Sequence, residues 1–107
     1  MRIGIVGAGA IGGWIGILLA KDGHDVSVLA RGETLAALKA GPWRLHYEDK
    51  TVEAKVRASD DAADLGIQDV IVVAVKGPAL AAVTPAIAAM IGPSSVVVPA
   101  MNGVPWW

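Results

Sequence analysis

The chain has 107 residues, of which 54% are hydrophobic and 18% charged, so it is long enough for one domain and too apolar to be disordered. Nine Lys and Arg against ten Asp and Glu leave a formal net charge of -1, which excludes a strongly basic surface for nucleic acid or for a membrane. The chain contains no Cys, so disulfides, thiolate nucleophiles and Cys-ligated zinc are excluded as well.

An uncharged run of 18 residues, 3–20, follows Arg2 and has the length of a marginal membrane helix or a signal peptide. Six of these residues are Gly, and each costs up to about 1 kcal/mol relative to Ala inside a helix. We therefore expect a strand, a turn and a helix here rather than one apolar helix. The expected location of the protein is the cytoplasm.

The start of the chain predicts a strand, a helix and a second strand. Residues 2–6 are rich in β-branched side chains, residues 7–9 form a tight turn, residues 10–22 are helical, and residues 25–30 form the second strand. About thirty residues is the usual length of a right-handed parallel crossover. Within the helix, small residues recur every four positions and predict close packing against a strand: Gly12, Gly16 and Ala20.

The middle of the chain changes its period from helical to alternating. Residues 33–40 predict a short helix, and from Trp43 onward apolar and polar residues alternate. We interpret residues 43–57 as an antiparallel hairpin that turns around Asp49 and Lys50.

The last third predicts two more core strands and two helical segments. Asp60 is the expected N-cap of a short helix that ends at Gly66, and residues 69–75 and 95–99 are expected to be buried parallel strands. Residues 78–91 are helical in composition, but a proline interrupts them. The expected break puts Thr84 at the N-cap and Pro85 at the first position of a second piece.

One glycine motif follows the first predicted strand and opens the first predicted helix. It matches G-x-G-x-x-G and comprises Gly7, Ala8, Gly9, Ala10, Ile11 and Gly12. In that context the first Gly permits the turn, the second lets the backbone approach a pyrophosphate, and the third admits the helix to the strand. The motif predicts a Rossmann-type, doubly wound parallel α/β sheet, with the hairpin as an insertion. The alternative is a packing turn that binds no ligand.

The end of the second predicted strand discriminates between nicotinamide cofactors. NAD sites place an acid there for the ribose 2′-hydroxyl, whereas this chain has Arg31, whose guanidinium suits a 2′-phosphate. NADP is therefore the predicted cofactor. Glu33 remains an alternative partner for the ribose, and Arg31 could also be a solvated cation.

Two further polar residues follow predicted core strands. Lys76 is the only charged residue between Val70 and Ala100, and Asn102 follows the last strand. Because ligands of open parallel sheets lie beyond the carboxyl strand ends, both are candidate cofactor contacts. The alternatives are a lysine that extends to water and an ordinary Asn-Gly turn.

Other polar and aromatic residues have simpler interpretations. His24 and His46 have no second ligand at metal spacing, so we predict solvated histidines and no metal site. Asp60, Asp61 and Asp64 are expected to cap and solvate a helix. Trp106 and Trp107 at the chain end are expected to contact a partner surface, a missing segment or a second copy of the chain.

Four segments together resemble the N-terminal NADP-binding domain of the ketopantoate reductase (2-dehydropantoate 2-reductase) family: MRIGIVGAGAIGGWIG, GHDVSVLARG, DVIVVAVK and VVVPAMNGVPWW. The resemblance implies that residues 7–12 bind the pyrophosphate, Arg31 the 2′-phosphate, and Lys76 and Asn102 other parts of NADPH. It also implies reduction of the ketone of 2-dehydropantoate to pantoate, on the route to pantothenate and coenzyme A.

The resemblance further implies a helical domain that brings the proton-donating lysine and binds the 2-oxo acid substrate. No residue of this chain is assigned that catalytic role, Lys76 included. We therefore expect residues 1–107 to be an incomplete, truncated NADP-binding domain that is inactive alone. The alternatives are a related dehydrogenase of another 2-oxo acid or polyol, and a non-catalytic nucleotide-binding or interaction module.

Overall fold

The computed structural model describes residues 1–7, 10–75 and 77–100. Its elements in chain order are β1 (Arg2–Val6), α1 (Ala10–Lys21), β2 (Asp25–Leu29), α2 (Gly32–Ala40), β3 (Trp43–Tyr47), β4 (Lys50–Ala54), β5 (Arg57–Ser59), α3 (Ala62–Leu65), β6 (Gln68–Val73), α4 (Gly77–Met90) and β7 (Ile91–Pro99).

Five of the strands form one parallel sheet in the order β5-β2-β1-β6-β7. The chain moves outward from β1 through β2 to β5, and then crosses back to β6 on the other side of β1. This reversal opens a crevice at the carboxyl ends of the strands, where open α/β sheets bind ligands. The predicted doubly wound parallel sheet is confirmed.

Helices cover both faces of the sheet because its central strands are apolar on both sides. On one face, α1, α2 and the β3–β4 hairpin enclose a core that includes Ile3, Ile5, Ile17, Val28, Leu38 and Trp43. On the other face, α3 and α4 enclose Val6, Leu65, Ile71, Val73, Ile87 and Met90. Neighbouring residues of β1 thus point into different cores, as strand pleating requires.

The antiparallel hairpin is confirmed, but it is shorter than predicted. It joins β3 to β4 through Glu48 and Asp49, and Tyr47 pairs with Lys50. Residues 57–59 are not part of the hairpin and instead form β5, which pairs with β2 in the main sheet. The alternation of apolar and polar residues runs from β4 of the hairpin into β5 of the main sheet. Periodicity alone therefore could not show where the hairpin ends and the main sheet begins.

The predicted break at Pro85 is wrong: α4 runs without interruption from Gly77 to Met90 with Pro85 inside it. Proline removes the N–H that would bond to the carbonyl of residue 81. Ala81 and Pro85 both lie on the exposed side of the helix, where water can bond to that carbonyl. The buried Ile87 and Met90 hold the later turns against the sheet.

Two other expectations need correction. Asp61, and not Asp60, is the N-cap of α3, where its side chain accepts a hydrogen bond from the backbone N–H of Ala63 at 3.0 Å. β7 is an edge strand within the described part of the chain and is not buried. Its valines 96, 97 and 98 are 56%, 43% and 41% exposed.

His46 is exposed on the hairpin, as predicted, with Nδ1 3.0 Å from the Thr51 hydroxyl. His24 is half-buried, and its Nε2 lies 3.6 Å from the Asp22 carboxylate. The described residues contain no group of three or more His, Asp or Glu that could hold a metal ion. No helix among them is long and apolar enough to cross a bilayer.

Candidate cofactor-binding site

The glycine turn brings the start of α1 directly onto the ends of two central strands. Gly7 has a φ of 101°, and a Cβ there would lie 2.7 Å from the carbonyl oxygen of Ala74, just after β6. A Cβ on Gly12 would collide with the carbonyl oxygen of Gly7. Side chains at these two positions would displace the helix from the sheet, so the first and third glycines of the motif are both required by packing.

The remaining residues of the motif are Ala8, Gly9, Ala10 and Ile11. Ala8 and Gly9 lie outside the described residues, and of Ala10 and Ile11 the structure gives only the backbone, which forms the first residues of α1. The backbone N–H groups of a first helical turn have no partner within the helix. They and the helix dipole make such an end favourable for an anion.

A cleft of about 460 Å³ opens at the carboxyl edge of the sheet beside this turn. Its size is typical of small-molecule sites. Apolar residues from the strand ends and α4 line much of it, including Val6, Leu29, Val75, Val83 and Ala86. Three polar side chains also line it: Arg31, Thr34 and Asp60.

Arg31 reaches the cleft because of its place between β2 and α2. It is the N-cap residue of α2 with extended backbone (φ -148°, ψ 171°), and its side chain makes no capping hydrogen bond. No carboxylate among the described residues forms an ion pair with it. Glu33, the other residue considered for the ribose, does not line the cleft. The guanidinium is therefore exposed and available to an anionic ligand.

Sequence reasoning missed two residues that line the cleft. Thr34 lies in the first turn of α2, and Asp60 follows β5. Ser59 pairs with Leu29, and its carbonyl accepts a hydrogen bond from the N–H of Ala30 at 3.0 Å. Asp60 therefore lies at the strand end next to that of β2. Sequence patterns did not predict β5 as a strand of the main sheet. They therefore could not place Asp60, which follows β5, at the carboxyl edge of that sheet.

Four other predicted contact residues fall outside the described part of the chain. They are Lys76 and Asn102, the candidate cofactor contacts, and Trp106 and Trp107, the candidate partner contacts. Val75 lines the cleft directly before Lys76, and Ala100 donates a backbone hydrogen bond to Val73 at 2.8 Å. The predictions for these four residues stay predictions.

The residues present fit a phosphorylated dinucleotide. A ligand of that kind needs a close backbone approach for its pyrophosphate, apolar surface for its rings and a cation for any further phosphate. Gly7 and Gly12 allow the start of α1 to lie directly against the strand ends, the cleft beside Gly7 has apolar walls, and Arg31 supplies the cation.

A sequence model of a known family, described as ketopantoate reductase PanE/ApbA, matches residues 3–105. The chain belongs to the ketopantoate reductase family. The resemblance seen in the four sequence segments is thus confirmed. Ketopantoate reductases are oxidoreductases. A 2-dehydropantoate 2-reductase of Mesorhizobium japonicum is 44% identical over 108 residues, which cover 100% of this chain and 33% of the relative.

Several solved structures share the fold. A candidate ketopantoate reductase from Ralstonia solanacearum MolK2 has a TM-score of 0.90 at 57% identity, covering 99% of this chain and 33% of its own. D-mandelate dehydrogenase, solved with NADH and anilino(oxo)acetate, has a TM-score of 0.85 at 26% identity. The match covers 98% of this chain and 34% of the dehydrogenase chain. The chain therefore spans about a third of the length of these relatives.

Proposed function

We propose that this chain is the NADPH-binding part of a ketopantoate reductase. The observation that carries the proposal is the cleft bounded by the Gly7 turn at one strand end and, at the next, by Arg31, which pairs with none of the described carboxylates. A phosphorylated dinucleotide needs a close backbone approach for its pyrophosphate and a cation for its further phosphate, and here each feature arises from a different segment of the chain.

In the proposed complex, residues 7–12 hold the pyrophosphate through backbone N–H groups at the start of α1. Arg31 binds the 2′-phosphate through two parallel charge-assisted hydrogen bonds. Lys76 and Asn102, by their sequence positions, are assigned to the parts of the cofactor nearer the nicotinamide. The bound cofactor supplies the hydride for reduction of a ketone.

The choice of NADPH over NADH rests on Arg31. The D-mandelate dehydrogenase structure contains NADH, so closely similar folds accept the cofactor without a 2′-phosphate. An arginine at the rim favours the phosphorylated form because a guanidinium pairs with a phosphate dianion more strongly than with a hydroxyl.

For the protein as a whole, we propose reduction of 2-dehydropantoate to pantoate in pantothenate biosynthesis, in the cytoplasm. The support is the relative from Mesorhizobium japonicum. D-mandelate dehydrogenase favours a second candidate, reduction of another 2-oxo acid, because the same fold serves a different substrate there. We assign no catalytic residue to this chain, so it is proposed to bind cofactor without turning over a substrate by itself.

Titration of the chain with NADPH and with NADH, followed by calorimetry or by the fluorescence of the reduced nicotinamide, tests the proposal. NADPH is expected to bind at least about tenfold more tightly, as one charge-assisted contact implies. Equal affinities would refute the assignment of the 2′-phosphate to Arg31. Failure of both dinucleotides to bind would refute the proposed function itself.

A further inference from the structure

Asp60 differs from the acidic residues around it because none of the described residues engages its carboxylate. The Asp61 side chain caps α3 by accepting from the N–H of Ala63, and Asp64 accepts a hydrogen bond from the Ser59 hydroxyl at 2.9 Å. Asp60 is exposed, forms neither a hydrogen bond nor an ion pair within the described residues, and lines the cleft. Asp61 caps α3, so capping of that helix does not explain why an acidic residue stands at position 60.

The order of the strands sets the order of the groups along the cleft. β1 ends at the Gly7 turn, β2 leads to Arg31, and β5 leads to Asp60, in three successive positions of the sheet. With the pyrophosphate at Gly7 and the 2′-phosphate at Arg31, the adenosine ribose lies between them. The base attached to that ribose then extends toward the third position, where Asp60 lies.

The chemistry of the cleft suits an adenine. Val83 and Ala86 of α4 belong to the apolar lining of the same cleft as Asp60, and such a lining can cover the face of a flat ring. A carboxylate can only accept hydrogen bonds, and the adenine 6-amino group can only donate them. Hypoxanthine has a carbonyl oxygen at the same place, which a carboxylate repels.

We propose that Asp60 accepts a hydrogen bond from the adenine 6-amino group and so selects an adenine dinucleotide over its hypoxanthine counterpart. The proposal rests on the proposed function, since it requires the dinucleotide to lie in this cleft. It makes Asp60 a specificity residue for the base, as Arg31 is for the 2′-phosphate.

The test compares the dissociation constants of NADPH and of its hypoxanthine counterpart, the reduced form of nicotinamide hypoxanthine dinucleotide phosphate. Both constants are measured by titration calorimetry on the wild-type chain and on Asp60→Asn. The wild-type chain is expected to bind NADPH about fivefold to tenfold more tightly, the effect of one hydrogen bond at an exposed site. In Asp60→Asn that ratio is expected to fall to about one, because an amide can accept from the amino group or donate to the carbonyl.

Glu33→Gln is the matched control, because it removes another exposed carboxylate close to Arg31 that does not line the cleft. Loss of either negative charge strengthens the binding of both dinucleotides alike, through their shared phosphates. The ratio of the two constants in Glu33→Gln is therefore expected to equal the wild-type ratio.

The outcomes separate this inference from the proposed function. If NADPH binds but the ratio is about one in the wild-type chain, or is unchanged in Asp60→Asn, the role of Asp60 is refuted and the cofactor site stands. If neither dinucleotide binds the wild-type chain, the proposed function is refuted and the role of Asp60 with it.

Discussion

The indole ring of Trp43 lies against the backbone of α1 at Gly16. A Cβ built on Gly16 would lie 2.5 Å from Cζ3 of Trp43 and 3.2 Å from Cγ1 of Ile5. Gly13, three residues earlier on α1, faces the same ring, but its Cβ would lie 3.5 Å from Cζ2, an ordinary contact distance. The hairpin therefore packs against α1 through Trp43. A methyl group fits between α1 and the indole at Gly13 but not at Gly16.

Gly16→Ala is expected to destabilise the chain by about 1–3 kcal/mol, because the added methyl group overpacks a buried indole and a buried isoleucine. Gly13→Ala is the control, and it is expected to stabilise the chain by up to about 1 kcal/mol through helix propensity alone. Urea unfolding followed by circular dichroism measures both. Similar changes in the free energy of unfolding for the two variants would contradict the packing described at Gly16.

Arg31→Ala is expected to weaken NADPH binding about tenfold to a hundredfold, since it removes a charge-assisted contact to phosphate. NADH affinity is expected to stay within about twofold of the wild-type value, because Arg31 would face only a hydroxyl. Titration calorimetry with the two dinucleotides gives both constants.

Arg44→Ala is the control for Arg31→Ala. Arg44 lies on the hairpin, where it pairs with Glu53 at 2.8 Å, and it does not line the cleft beside Gly7. Its removal is expected to leave the preference for NADPH unchanged. An equal loss of NADPH and NADH affinity in Arg31→Ala would argue against a 2′-phosphate contact.

Local patterns predicted the part of the fold that short-range geometry determines. The spacing of Gly7 and Gly12 is set by one turn and one helix start, so the sequence predicts β1, α1 and β2 closely. Arg31 follows from the same unit, because its distance from the motif is the length of one crossover.

Long-range pairing determines what local patterns missed. β5 has three residues, Arg57–Ser59, and its partners in β2 lie about thirty positions earlier. Nothing within so short a segment distinguishes a main-sheet strand from the end of a hairpin. The place of Asp60 at the cleft depends on that pairing and could not be predicted without it.

Gln68 is fully buried at the start of β6, and its amide is only half satisfied. Nε2 donates to the carbonyl of Leu65 at 2.9 Å, whereas Oε1 accepts no hydrogen bond from the described residues. Arg2 also donates to the Leu65 carbonyl at 2.8 Å, so that oxygen keeps a partner if Gln68 is replaced.

Gln68→Met is therefore expected to change the free energy of unfolding by less than about 1 kcal/mol, because it keeps most of the volume and removes a buried polar oxygen that lacks a partner. Gln68→Ala is expected to cost about 2–4 kcal/mol, since it leaves a cavity. Thermal or urea unfolding distinguishes them. Equal destabilisation by both variants would mean that the amide hydrogen bonds, and not side-chain volume, dominate at this position.

Pro85→Ala is expected to stabilise the chain by about 1–2 kcal/mol. Proline in an exposed helix interior is about 3 kcal/mol less favourable than Ala, and the greater freedom of the unfolded chain without it offsets up to about 1 kcal/mol of that gain. Pro78→Ala is the control, because residue 78 lies in the first turn of α4, where no helical hydrogen bond is lost to proline. Urea unfolding of both variants should show a clear gain at position 85 and a small change at 78. A loss of stability in Pro85→Ala would mean that α4 needs a bend at this residue to seat Ile87 and Met90 in the core.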